Sequence, residues 1–131
     1  MKHYLILYIS TLLIMGLLDG IWLGVVAKDF YRGYIGEQFE FHRIPALVFY
    51  LSYVAGILLF VSAGSAATNW QQVLMYGALF GMLAFATYDL TNLATLRGWS
   101  LTMSLVDIAW GTFNTGVSAT LGWLATRYIL R

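Results

Sequence analysis

Four long apolar stretches, separated by short polar ones, constrain this chain more than any other feature. They run near residues 4–27, 45–63, 70–96 and 100–128. A helix needs about 20 residues to cross the hydrocarbon of a bilayer, and each stretch reaches or nears that length. The chain is 60% hydrophobic and only 10% charged over 131 residues, where soluble domains carry about 25% charged residues. A water-facing fold this small has too little interior to hide so much apolar surface. The expected architecture is therefore an all-α membrane protein, one transmembrane helical domain over 1–131 built as a four-helix bundle. An even number of spans puts both termini on one side.

The punctuation between stretches agrees with this reading. Pro45 fits the first turn of the second helix, where its missing N–H costs nothing. Residues 64–69 are small and polar and read as a tight connection. Gly98, after Arg97, suits a helix stop. The first run is too long for a secretory signal core and carries Asp19 and Trp22, so it is expected to be a retained helix. The one substantial polar segment, 28–43, mixes Lys28, Arg32, Glu37, Glu40 and Arg43 with aromatic residues. Rings between charges suit the headgroup zone, and a short interfacial segment between helices one and two is expected there. Lys28, Arg32, Arg43 and Arg97 lie on one side of the membrane and Lys2, Arg127 and Arg131 on the other. Because cytoplasmic loops favour Lys and Arg, the count leans toward placing the long loop in the cytoplasm.

Three carboxylates fall within the spans: Asp19, Asp89 and Asp107. A charge at bilayer depth costs about 2.5–3.5 kcal/mol on insertion scales, so such residues face the bundle interior and mark functional sites by default. Asp19 lies nine positions before Lys28, Asp89 eight before Arg97, and Asp107 seven after Ser100. At about 1.5 Å per residue all three sit roughly 10–14 Å below the same surface. On the fourth helix Asp107, Gly111, Asn114 and Ser118 form one stripe at helical period, and on the third Tyr88, Asp89 and Asn92 share a side. The pattern predicts a shared polar pocket. Asp19, Asp89 and Asp107 supply charge, Tyr88, Asn92 and Asn114 orient a ligand, and Trp22 and Trp110 form walls. The second helix adds Tyr50 and Tyr53 at most. A purely structural reading instead pairs the acids with Lys28, Arg97 or Arg43, whose long side chains reach down from the interface.

Glycines carry a second message. Gly16, Gly20 and Gly24 are spaced by four, as are Gly77 and Gly81, and such spacing lets helix backbones approach closely. Packing within the bundle is the first expectation and a homodimer through the first helix the second. The chain has no cysteine and a formal net charge of +1, which points to no thiolate chemistry and no nucleic-acid partner. His3 and His42 form no metal motif, and neither a phosphate loop nor a nucleophile elbow is present. No metal and no cofactor are expected, and membrane lipids are the default surroundings.

The strings Leu18-Asp19-Gly20-Ile21-Trp22-Leu23-Gly24, Thr87-Tyr88-Asp89-Leu90-Thr91-Asn92-Leu93-Ala94-Thr95 with Arg97-Gly98-Trp99, and Leu105-Val106-Asp107-Ile108-Ala109-Trp110-Gly111 resemble a family of small bacterial membrane proteins catalogued as domain of unknown function 2177. Lys28-Asp29-Phe30-Tyr31 fits as well. The resemblance covers nearly the whole chain. It implies four helices in a bacterial inner membrane and a neighbourhood of enzymes that modify fatty acyl chains, but no activity. Three functions compete at this point. One is binding or transport of a proton, a cation, or a lipid or cationic small molecule in the acidic pocket. Another is a membrane enzyme, or enzyme subunit, that modifies lipid acyl chains or headgroups. The last is an assembly or regulatory subunit without a ligand.

Overall fold

A computed structural model describes residues 1–26, 42–65 and 67–131. The interfacial segment expected over 28–43 lies, as far as position 41, outside the described residues, and so does Lys28. Helix α1 spans Lys2–Ile21 and continues through Trp22–Val26 as a π-helical stretch. Helix α2 spans Arg43–Ile57 and likewise ends in π-helical Leu58–Ser62, where the N–H of Ala63 reaches back to the carbonyl of Leu58 at 2.9 Å. Helices α3, Trp70–Thr95, and α4, Leu101–Leu130, complete the bundle. The expected spans and the observed helices agree to within two or three residues.

The ends of the helices follow local chemistry. Pro45 is the third residue of α2, among the first four positions whose N–H groups have no intrahelical acceptor. The Asn69 side chain caps α3 by accepting from the N–H of Gln72 at 2.9 Å. Ser100 caps α4 by accepting from Met103 at 3.0 Å. Between α3 and α4 the chain reverses in five residues, 96–100, and Gly98 takes φ = 80° there. That left-handed conformation costs glycine nothing and other residues dearly.

The outer surface is apolar, unlike that of a soluble protein, around an apolar core that includes Leu7, Met15, Val54, Ile57 and Val73. Large apolar side chains such as Leu13, Leu17, Leu47, Phe60, Leu83 and Phe113 point outward. The interior of α4 is made instead of Ser104, Gly111, Asn114, Thr115, Gly116 and Ser118. Helices α1, α2 and α3 are long and apolar enough to be membrane spans by themselves. Helix α4 is more polar but longer, about 45 Å at 1.5 Å per residue, and it packs against both α3 and α1. Several of its hydroxyls are satisfied within the helix. Thr112, Thr120 and Thr126 donate to the carbonyls four residues back, Ile108, Gly116 and Gly122, at 2.7–2.8 Å. This is a membrane solution, because in hydrocarbon a helix must satisfy its own polar groups or borrow partners from its neighbours.

Small residues bring α3 and α4 together. A Cβ on Gly77 would lie 3.1 Å from the Gly116 Cα, and one on Gly81 would collide with the Gly111 carbonyl and sit 2.6 Å from Thr115 Cβ. Across the bundle, Gly122 receives Thr11 of α1, which leaves no room for a side chain there. The glycines of α1 behave differently. Gly16, Gly20 and Gly24 have no described atom within 4 Å of where a Cβ would stand, so the expectation of close packing holds for Gly77 and Gly81 and not for this stripe. The contrast is measurable by unfolding the protein in mixed micelles with sodium dodecyl sulfate. Gly81→Ala should lose about 1–3 kcal/mol, the usual cost of overpacking, whereas Gly20→Ala should stay within about 0.5 kcal/mol of the parent. Equal losses at the two positions would contradict the packing described.

Candidate functional site

Each helix delivers its part of the site through ordinary helical spacing. On α1, Asp19, Trp22 and Leu23 stand at i, i+3 and i+4, and on α4 Asp107 and Trp110 stand at i and i+3, so each set shares one face. On α2 the pair Phe49 and Tyr50, and on α3 Phe85 and Tyr88, turn the same way. These faces meet around a half-open cavity of about 320 Å³. Its acids are Asp19 and Asp107, and its aromatic walls include Trp22, Tyr50, Tyr88 and Trp110.

Asp19 is held by two neutral donors. The Tyr50 hydroxyl donates to Oδ2 at 2.6 Å, and the Trp110 indole N–H donates to Oδ1 at 2.7 Å. The first joins α1 to α2 and the second joins α1 to α4. Both partners are amphipathic rings whose apolar bodies suit the bundle while their polar tips reach the carboxyl. The Trp22 and Trp110 rings stack with centroids 4.5 Å apart and planes 7° apart. That stack fixes the indole whose N–H serves Asp19. Among the described residues no basic side chain pairs with Asp19. Arg43 and Arg97 are exposed at their helix ends, and Lys28 is outside the described residues.

Asp89 has a different environment. It is 1% exposed, and neither carboxyl oxygen has a hydrogen-bond partner among the described residues. Its charged neighbour is Asp107 on α4. Asp89 does not itself line the cavity; it stands beside the acid that does. Asn92 and Asn114 also lie off the lining. Asn114 is buried and accepts from the Ser118 hydroxyl at 2.9 Å. The polar stripe of α4 is thus divided. Its upper end, at Asp107, opens on the cavity, and its lower end is packing. The division falls at Gly111, where the Phe85 ring occupies the space a side chain would need.

Of the residues singled out from the sequence, Asp19, Asp107, Tyr88, Trp22 and Trp110 share the cavity. Tyr50 proves a principal partner of Asp19. Phe49 and Phe85 line the cavity without any sequence signal, since a phenylalanine in an apolar helix looks the same whether it faces lipid or a pocket. Below the cavity, the Tyr53 hydroxyl lies 2.8 Å from Thr115 Oγ1, and its ring stacks near Phe49 and Phe80 at 5.0 and 5.5 Å, which stiffens the wall. Removing one of the two donors to Asp19 has a defined cost. Tyr50→Phe should lower stability in micelles by about 1 kcal/mol, the net worth of one such hydrogen bond. Tyr76→Phe, on the exposed face of α3, should be silent within about 0.5 kcal/mol. Indistinguishable unfolding curves for the two variants would remove the Tyr50–Asp19 bond from consideration.

No curated protein and no solved structure gives a match to this chain. The model of one family, described as "Predicted membrane protein (DUF2177)", matches residues 4–124. That stretch contains every cavity residue named above, and the chain belongs to this family of membrane proteins.

Proposed function

We propose that the protein binds an amphiphilic organic cation within the membrane, in the cavity between its four helices. The observation that carries this reading is the combination of two carboxyl side chains, Asp19 and Asp107, with walls of Trp22, Tyr50, Tyr88 and Trp110 around one space. A cation over an aromatic face is attracted by the ring quadrupole, by about 2 kcal/mol or more where water is excluded. Carboxylates add charge complementarity, and a low-dielectric surrounding strengthens both effects. The volume of about 320 Å³ falls in the range of roughly 300–1,000 Å³ usual for small-molecule sites. The apolar lining residues Leu23, Phe49 and Phe85 suit an apolar tail. The membrane concerned is taken to be the bacterial inner membrane, as the resemblance implies.

Two hydrophobic ions of equal shape and opposite charge test the charge requirement directly. In neutral-detergent micelles, tetraphenylphosphonium should quench tryptophan fluorescence saturably, through Trp22 and Trp110, whereas tetraphenylborate should not. Asp19→Asn and Asp107→Asn should each weaken tetraphenylphosphonium by about tenfold or more, equivalent to about 1.4 kcal/mol. Equal quenching by both ions, or unchanged affinity in both variants, would refute the reading. Phosphatidylethanolamine in the micelles distinguishes the source of the natural cation: competition identifies a lipid headgroup, and no competition identifies a free amphiphile.

A further inference from the structure

Asp89 and Asp107 are neighbours, and they are not equivalent. Asp107 lines the cavity. Asp89 lies behind it, buried, with no donor on either oxygen among the described residues. Asp19 shows what the bundle does for a carboxyl it means to satisfy, since it supplies one donor to each oxygen. Among the described residues no neutral donor serves Asp89, whose polar neighbour is the acid Asp107. We infer that the site exchanges a proton for its ligand: Asp89 holds a proton while the cavity is empty and releases it when a cation occupies the space beside Asp107. The inference rests on the cation-binding reading of the same cavity and adds the counter-ion to it.

The argument is one of charge balance. An ionised carboxylate withdrawn from water and given no donor is costly, while the neutral acid demands far less of its surroundings. A second carboxyl beside it sharpens the preference, because adjacent acids resist carrying two negative charges. A cation seated against Asp107 reverses the balance, since it supplies the positive charge that Asp89 lacks. One positive charge enters, one proton leaves, and the net charge within the bundle is unchanged. The O–H bond of Asp89 breaks and its electron pair stays on the carboxylate. The proton passes by way of the neighbouring Asp107 to the aqueous phase. Among the described residues, the other titratable groups around this region are Asp107 from α4, Tyr88 on α3 itself, and, across the cavity, Asp19 from α1 and Tyr50 from α2. The tyrosines are phenols that stay neutral through the working range. Asp19 is already engaged by two donors, and Asp107 stands between Asp89 and the ligand, which leaves Asp89 as the store.

The test is proton counting during ligand binding. Purified protein in weakly buffered neutral-detergent micelles is titrated with tetraphenylphosphonium while a pH indicator records protons released. About one proton per bound ion is expected, with affinity rising about tenfold per pH unit where Asp89 is protonated, as one-for-one exchange requires. Asp89→Asn should still bind, with an affinity that no longer depends on pH, and should release no proton. Should that variant fail to fold, infrared difference spectra of the unaltered protein provide the same test, because the carbonyl band of one protonated carboxylic acid should vanish on adding tetraphenylphosphonium. Saturable binding without proton release overturns this inference and leaves the binding reading standing, as does an Asp89→Asn protein that releases protons like the parent. Absence of any charge-selective binding overturns both.

Discussion

A carboxyl group at bilayer depth has no water to turn to, so neighbouring helices must provide for it or it must give up its charge. This requirement organises the bundle. Asp19 draws Tyr50 from α2 and Trp110 from α4 onto α1, and the Trp22–Trp110 stack forms beside those bonds. Three helices converge on that one carboxyl, and Phe85 and Tyr88 of the fourth complete the cavity wall. Asp89, given no donor among the described residues, marks where they leave the same requirement unmet.

The convergence depends in turn on how closely the helices can approach. Helix α4 sits against both α3 and α1, and it can do so because its inward face is rich in glycine, serine, threonine and alanine. Gly77 and Gly81 meet Gly111, Thr115 and Gly116 almost backbone to backbone. The same rotation of α4 brings Trp110 onto Asp19 and Trp22 of α1 and Asp107 beside Asp89 of α3. Phe85, resting on Gly111, both closes the cavity and separates Asp107 from the buried Asn114 below it. Packing in the lower half of the bundle therefore aims the chemistry in the upper half. The hydroxyl bonds within α4 let so polar a helix do this without exposing unsatisfied groups.

The outward surface is continuous with the solvent it was built for. Exposed leucines, isoleucines and phenylalanines on every helix would be a liability in water and are neutral in lipid. The half-open cavity is where interior and lipid meet, and a ligand that is charged at one end and apolar at the other matches that boundary.

The sequence by itself determined the class of protein, the positions of the helices, the turn at Gly98, and the fact that Asp19, Asp89 and Asp107 belong on inward faces. Each of these depends on local properties, namely the run length of apolar residues, helical period, and the depth implied by rise per residue. It could not say which neighbour serves which acid. Tyr50 and Trp110 lie 31 and 91 positions from Asp19, and whether they reach it is decided by rotation of each helix about its axis and by relative height. Those are set by contacts such as Gly81 on Gly111 and Thr11 on Gly122. The same limit applied to the glycines: identical spacing placed Gly77 and Gly81 in a packed interface and left Gly16, Gly20 and Gly24 open, because spacing fixes a face of a helix while only the assembled bundle decides what that face meets.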